Sequence, residues 1–472
     1  MFQEKMEKAS KTEVSLEDLA RNPRCPHGPT VLFKDSVKGK KRKYYSCSAY
    51  RDKKTCGFHV DKSSKITPGK RMNWTEQENR FLKHKNHAER YKHFIDFRSS
   101  QKQDGFFCQK CEIICDKTGH EDHTITRFSA ADLSTPSRIL EAKAENKKEA
   151  QFFFSESSRD YLLKVVKKTG GTHVLCIGTP TLYEALPGSI KKLFLDIDTR
   201  YLGLLSPEQF CWFNMMNFHF FHGDVAKNRL RSFIRSAGSN LTIFLDPPFG
   251  GRMELIHHTI QSIQSILEQE MGRGVSKPKL CWIFPYFMER KLKELGLGLE
   301  MCEYRVSYIN HKEYSGGEGG RNLGSPVRFF TNIPLSSLPL PNADEYKQCT
   351  DCGFYVSSTN IHCKECNACT SKDGRPYVHC PDCSRCVKET YVHCADCVRC
   401  HLPAFKCKKE NEQAEDNADG VTTIKPQAVE KQKSSEQSKK SGKRKYFGSR
   451  GRGGNNNKQR GGGGRGGKRR KF

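Results

Sequence analysis

The sequence predicts an α/β fold, a parallel sheet covered by helices on both faces, with small metal-binding modules around it and a basic tail. Three observations predict it. Between about residues 151 and 334, short apolar runs alternate with helical stretches. Cysteines and histidines recur in C-x2-C spacing on both sides of that stretch, and beyond Cys407 hydrophobic periodicity stops. Strands alternating with helices imply βαβ units and a sheet buried on both faces. The chain of 472 residues is long enough for roughly two to four domains.

Residues 1–20, "MFQEKMEKASKTEVSLEDLA", are polar and mixed in charge, so they are expected to be disordered and carry no secretory signal. No run of 18 apolar residues occurs, which predicts no membrane partner. Over residues 21–62, Cys25-x-His27 is followed by the basic aromatic segment "KKRKYYSC" to Cys47 and then by Cys56. Four ligands with aromatic strands between them suit a small zinc ribbon. The segment resembles the GRF zinc finger, with Lys41 where that finger has its glycine. The plain alternative for Cys25 and His27 is an unliganded surface pair.

Residues 104–126 hold Cys108, Cys111, His120 and His123, a compact C2H2 set with Cys115 as a spare thiol. Eight residues between the pairs leave no room for a base-reading helix, so this module reads as structural. A polar helix over residues 137–150 is expected to link it to the centre.

Five apolar runs then mark strands: "THVLCIGTP" (172–180), "KKLFLDID" (191–198), "FHFFHGD" (218–224), "LTIFLDPPF" (241–249) and "KLCWIFPYF" (279–287). A helix is expected over Met253–Met271, and two further β-like runs, 303–310 and 325–332, close the domain. The glycine-rich stretch 311–324 between them reads as a flexible loop near the pocket.

The third cysteine block, residues 346–407, repeats an H-C-x2-C-x2-C unit three times: His362, Cys363, Cys366, Cys369; His379, Cys380, Cys383, Cys386; His393, Cys394, Cys397, Cys400. With Cys349, Cys352, His401 and Cys407 it offers sixteen ligands, enough for up to four tetrahedral zincs, in pairings the sequence leaves open. So few large apolar side chains could hardly fold there without metal. Most of the 22 cysteines recur in C-x2-C spacing with no secretory context, which reads as metal ligation rather than a disulfide framework. Residues 408–472 are low-complexity and Arg-Gly-rich, expected to be disordered. Net charge is +28, and residues 421–472 hold seventeen basic against two acidic residues, which points to nucleic acid.

The centre carries the chemistry. An open α/β sheet binds its ligand at the carboxyl ends of its strands. There the sequence places Gly178, the acids Asp196 and Asp198, and the turn Asp246-Pro247-Pro248-Phe249. The prolines fix φ and lack N–H groups, so the turn offers a carboxylate, a free carbonyl and an aromatic face. An exocyclic amine on a flat ring, such as N6 of adenine, finds two acceptors and a stacking surface there. No G-x-G-x-x-G follows the first strand, which argues against a nicotinamide cofactor. A Rossmann-like class I methyltransferase using S-adenosylmethionine fits the layout.

The motifs "QFFFSE", "VLCIGTP", "LDIDTRY", "NMMNFHFF", "DPPFGG", "WIFPYF" and "SPVRFFTNIP" occur in that order. Over residues 20–407 the chain resembles the rRNA N6-adenosine methyltransferases named for a CCHC zinc finger. One departure is that the terminal C-x2-C-x4-H-x4-C knuckle is absent. The resemblance implies a methyltransferase domain over residues 137–334 that methylates N6 of an adenosine in large-subunit rRNA, in nucleus, nucleolus and cytoplasm. It implies that Asp246 and the Pro247 carbonyl accept the amine hydrogens and that Phe249 stacks on the base. Asp196, or else Asp198, would hold the ribose unless paired with Arg200. Gln151, Phe152, Phe153 and Phe154 would close over the cofactor, with core packing as the alternative for the three phenylalanines. Thr181 and Asn217 are further cofactor contacts. Two rivals remain: a protein lysine methyltransferase using the same turn, and a non-catalytic zinc-finger RNA-binding adaptor. If the fingers are separate modules, loss of zinc should leave cofactor binding intact.

Overall fold

A computed structural model describes residues 12–37, 40–50, 53–83, 85–143, 151–311 and 325–404. The chain divides into two units, 1–410 and 411–472. The second lies outside the described residues, as do Cys407, most of the 311–324 loop and residues 1–11.

In the first unit, strands β1 (His173–Ile177), β2 (Lys191–Asp196), β3 (Phe210–Asn214), β4 (His219–Phe220), β5 (Leu241–Leu245), β6 (Lys279–Pro285), β7 (Glu300–Cys302) and β8 (Val327–Thr331) form one sheet. Its order is β4-β3-β2-β1-β5-β6-β8-β7. The five central strands run parallel, and β4, β8 and β7 are antiparallel to their neighbours. The order reverses between β1 and β5, which opens the ligand crevice of such sheets.

The core follows from period-two alternation. Val174 and Cys176 of β1, with Phe194, Phe244 and Ile283, bury one face; Leu175 and Ile177, with Leu195, Ile243 and Trp282, bury the other. Helix α3 (Glu156–Lys168) covers the first face with Tyr161, Leu162, Val165 and Val166. It starts where the Ser155 hydroxyl accepts from Ser158 N–H. The short α4 (Pro180–Ala185) adds Leu182 and Tyr183 to the first face, and helices α5 (Gly223–Ala237) and α6 (Met253–Met271) cover the second. In α6, Leu255, Ile256, Thr259, Ile260, Ile263, Ile266 and Leu267 are buried, a helical stripe, and Gly272 at φ 93° ends it where a side chain would be strained. Each such large side chain removed from water contributes about 1.5–3 kcal/mol.

Three elements differ from expectation. The third parallel strand is β3, not 218–224, which supplies only the two-residue β4 before α5 begins at Gly223. β3, "FCWFN", is too short and uniformly buried to show a period. Over the described part of the expected 137–150 helix, a 3-10 turn covers Pro136–Arg138 and residues 139–143 are not helical; residues 144–150 lie outside the described residues. The run 303–310 is not a strand; β7 precedes it, and only Tyr308 bridges, to Phe154. Two helices absent from the sequence reading, α1 (Pro68–Lys83) and α2 (His87–Ser99), join the first two Cys/His modules.

These modules share the central core. Phe107, Ile114 and Phe128 of the second module and Tyr346 of the third block lie in the same cluster as Val174 and Phe244. Trp212 on β3 stacks on Phe221 at 3.9 Å and meets Phe81 of α1 at 5.5 Å.

Candidate active site and metal centres

β1 and β5 end side by side. Asp246 N–H donates to the Ile177 carbonyl at 3.1 Å, and Gly178 N–H to Leu195 O at 3.0 Å. Gly178 has φ +67°, and a Cβ there would meet Asp246 O at 3.0 Å, so glycine is required where the first loop crosses the DPPF turn. The Pro248 carbonyl accepts from Gly251 N–H at 2.6 Å, closing the turn. Pro247 is buried, Pro248 exposed, and Phe249 half-buried with edge contacts to Phe284 at 5.9 Å and Tyr308 at 6.3 Å.

The Asp246 carboxylate is enclosed although the residue as a whole is partly exposed. The Tyr308 hydroxyl donates to both of its oxygens at 3.1 Å. Burial raises the Asp246 pKa well above the usual range, and the Tyr308 hydrogen bond only partly offsets this. Sequence reasoning missed Tyr308, since it assigned that run to a strand. The run holds two tyrosines, Tyr304 and Tyr308, and nothing local marks the one that reaches Asp246.

The "QFFF" segment pairs with the chain that carries Tyr308. Phe153 N–H donates to Asn310 Oδ1, Asn310 Nδ2 to Gln151 O, and Ile309 N–H to Phe153 O, at 2.9, 2.7 and 2.9 Å. Phe153 and Phe154 are buried, Phe154 against Tyr308, and Phe152 lies between Tyr308 and His311. Core packing thus describes Phe153 and Phe154, while Phe152 is partly exposed.

At the end of β2 the two acids part. Burial and the neighbouring Asp198 charge push Asp196 up to about 7, and its Oδ1 accepts from Asp198 N–H at 2.8 Å. Burial would raise Asp198 as well, but Lys143 and Arg200 outweigh it and hold it below the usual range. Arg200 Nη2 lies 2.7 Å from Asp198 Oδ2 and Lys143 Nζ 2.9 Å from Oδ1, so Asp198 is the structural ion-pair member and Asp196 the less engaged acid. Gln151 sits in this network, accepting from Arg200 at 2.9 Å and donating to Asp198 at 3.3 Å.

Asn217, expected at the cofactor, has a second duty. Its Nδ2 donates to His27 O and Pro29 O at 3.3 and 2.8 Å, clamping the first module to the sheet. Its Oδ1 and the Thr181 hydroxyl are buried and have no hydrogen-bond partner among the described residues. Both follow carboxyl ends of strands, where a bound ligand would satisfy them.

A family model described as "Probable N6-adenine methyltransferase" matches residues 145–332. The human rRNA N(6)-adenosine-methyltransferase ZCCHC4 is 40% identical over 406 residues, covering 82% of this chain and 78% of its own. The Xenopus tropicalis protein of that name is 36% identical over 74% of this chain and 75% of its own, and the mouse protein 36% over 75% and 73%. The chain belongs to the ZCCHC4 methyltransferase family. It is an S-adenosylmethionine-dependent enzyme by that membership, and the crevice fits the cofactor: an acid after β2, a glycine turn after β1, and orphaned polar atoms at Thr181 and Asn217.

This member of the ZCCHC4 family also gathers its cysteines and histidines into tetrads. Cys25, His27, Cys47 and Cys56 form one, and Cys108, Cys111, His120 and His123 another, formed without Cys115. In the third block they are Cys349, Cys352, His362, Cys369; Cys363, Cys366, His379, Cys386; and Cys380, Cys383, His393, Cys400. Sulfur–Nδ1 distances run from 3.2 to 4.0 Å, and the Cys366–Cys386 and Cys383–Cys400 sulfurs lie 3.8 and 3.6 Å apart. A tetrahedral zinc with bonds of about 2.05 Å to nitrogen and 2.3 Å to sulfur would space them at about 3.6 and 3.8 Å. The clusters could therefore hold zinc.

The pairing is interlocked. In each repeat the histidine and last cysteine serve one tetrad, and the two middle cysteines serve the next. Adjacent His-Cys pairs lie on strands (His362–Cys363, Tyr377–Cys380, Val392–Cys394), and neighbouring strand residues point to opposite faces. Every knuckle turns through a positive φ just after its second cysteine, at Glu112, Gly353, Asn367, Ser384 and Val398. By the same rule Cys394 and Cys397 would pass to a set with His401 and Cys407, the last of which lies outside the described residues.

Proposed function

We propose that this chain transfers a methyl group to N6 of an adenosine in large-subunit rRNA, within ribosome biogenesis, in the nucleus, its nucleolus and the cytoplasm. The observation that carries this reading is the Asp246–Phe249 turn where β1 and β5 end side by side, with Tyr308 on the carboxylate. S-adenosylmethionine supplies the electrophilic methyl group when bound. Asp196 would accept the ribose hydroxyls, with Gly178 letting the backbone approach and Thr181 and Asn217 Oδ1 completing the contacts.

Asp246 and the Pro247 carbonyl accept the two N6 hydrogens, holding the nitrogen lone pair toward the methyl carbon. Phe249 stacks on the base, which must be unpaired or flipped to reach it. Asp246 would also take up the proton that N6 sheds on methylation, a role suited to a carboxyl whose pKa burial raises. The names of the relatives and the basic excess support rRNA as the substrate.

The test is mass spectrometry of nucleosides from large-subunit rRNA incubated with the pure protein and labelled cofactor. N6-methyladenosine at one position is expected. Label on lysine of ribosomal proteins, with none in RNA, would refute the reading.

A further inference from the structure

The second Cys/His module is built into the loop that follows β2. A Cβ on Gly203 would come within 2.6 Å of the Glu112 carbonyl, so the knuckle and the 197–203 loop are in direct contact. Glu112 Oε1 accepts from Thr199 at 2.8 Å, and its Oε2 pairs with Lys85 and Arg90 at 2.5 and 2.7 Å. One residue after the first knuckle ligand, Gln109 Oε1 accepts from Arg200 Nη1 at 3.2 Å. Its Nε2 is fixed by Thr126 Oγ1 and Ile139 O at 2.8 and 2.9 Å.

Arg200 is 4% exposed and divides its donors among Gln109, Glu141 O, Gln151 and Asp198. Asp198 in turn presents its N–H to Asp196 Oδ1. A continuous chain of hydrogen bonds, part-buried at Gln109 and buried from Arg200 onward, thus runs from the module's knuckle to the acid at the end of β2.

We propose that Arg200 is a positioning residue that couples metal binding in the second module to cofactor affinity, through Gln109 on one side and Asp198 on the other. The proposal rests on the reading that Asp196 receives the cofactor ribose. A guanidinium this buried cannot leave a donor unpaired without cost, so loss of the knuckle's acceptor re-aims it. Asp198 follows its partner, and the N–H that orients Asp196 moves with it. The module would then be a structural part of the cofactor pocket rather than an RNA-facing appendage.

The full-length, zinc-loaded protein tests this by calorimetry with S-adenosylmethionine. Gln109→Ala and Arg200→Lys keep all four ligands of the module, and each should weaken cofactor binding roughly tenfold, as expected for one hydrogen bond to a buried charge. His120→Ala should weaken it at least as much. Asn332→Ala removes part-buried hydrogen bonds to Leu280 N–H and Pro278 O at the far side of the sheet and should leave affinity within about twofold.

In steady-state assays Gln109→Ala should raise KM for the cofactor while kcat and KM for RNA stay at parental values, a split that partial unfolding would not give. Parental affinity in both Gln109→Ala and Arg200→Lys overturns the coupling, whatever His120→Ala does. Equal weakening in Asn332→Ala overturns it too, since the effect would be general loss of stability. Weakened binding in Gln109→Ala with parental affinity in Asp196→Asn would keep the coupling and remove the ribose role from Asp196.

Discussion

Asp246 and Asp196 are both carboxyls that the fold makes reluctant to ionise, and this sets their pH behaviour. Asp246 accepts amine hydrogens best as a carboxylate, and its pKa is raised by burial. Turnover at saturating substrates should therefore fall on an acid limb lying above the ordinary aspartate range. The Tyr308 hydroxyl favours the ionised form, so Tyr308→Phe should move that limb to higher pH, and Asp246→Asn should abolish it. A kcat–pH profile unchanged by Tyr308→Phe would remove Tyr308 from the site. Asp246→Ala should retain cofactor affinity and lose turnover by roughly 10²–10³, the usual effect of deleting one positioned polar group. Asp196, held up at about 7, works with the opposite partner, the ribose hydroxyls. They favour the carboxylate, so cofactor affinity should be full above about pH 7 and fall as pH drops below it, by at most about tenfold per unit. The sign for stability is the reverse. Between about 4 and 7 the folded chain keeps a proton that the unfolded chain has lost, so this residue's contribution declines as pH rises through that window. Calorimetry from pH 5.5 to 8 would check the first statement, and a flat profile would contradict it.

Among elements, the β strands that end in Asp196 and Asp246 were legible because uninterrupted apolar runs stop at an acid or a glycine. Helix α6 was read to its ends from its periodic stripe. β3 was not legible: "FCWFN" is apolar on both faces, and its neighbours α1 and α5 give it its burial. Trp212→Ala should destabilise the domain by about 3–5 kcal/mol, measured by denaturant unfolding, because it leaves a void between Phe221 and Phe81. The C-x2-C-x2-C hairpins make a second element-scale prediction. Metal analysis should find at least five zincs per chain, one for each tetrad named above. Cys363→Ala should lose the ion shared with Cys366, His379 and Cys386 and retain the tetrad containing His362, although His362 is its immediate neighbour. Loss of both ions together would contradict the interlocked pairing.

For the whole molecule, the consequence of a shared core is that metal and fold are not separable. Phe107 and Phe128 of the second module are buried in the same core cluster as Val174 and Phe244 of the sheet, so chelation should lower the melting temperature of the central domain as well as unfold the hairpins. A central transition at the parental temperature after chelation would show that the modules are independent after all. The tail's sequence offers charge, seventeen basic against two acidic residues over 421–472. Truncation after Asp419 should flatten the slope of log K against log salt by a few units, at about 0.7 per phosphate, and leave the methylated position unchanged. A changed position with an unchanged slope would make the tail a specificity element.

The sequence by itself determined the local and the periodic: the parallel strands that end in acids, the DPPF turn, the ligand-bearing residues and the basic tail. Each is set by chemistry within a few residues, such as proline's fixed φ, C-x2-C spacing or apolar alternation. Only the tertiary structure decided which acid is ion-paired and which is not, because Lys143 reaches Asp198 from a distant segment and the folded turn aims Arg200 at Asp198 rather than at Asp196. It alone placed Tyr308 on Asp246, 62 residues away in sequence, and gave Asn217 its grip on the first module. Metal pairing lay in the same class. The H-C neighbours look like one site along the chain, and strand geometry turns them to opposite faces, so that the ligands of each tetrad are chosen by packing and not by proximity in sequence.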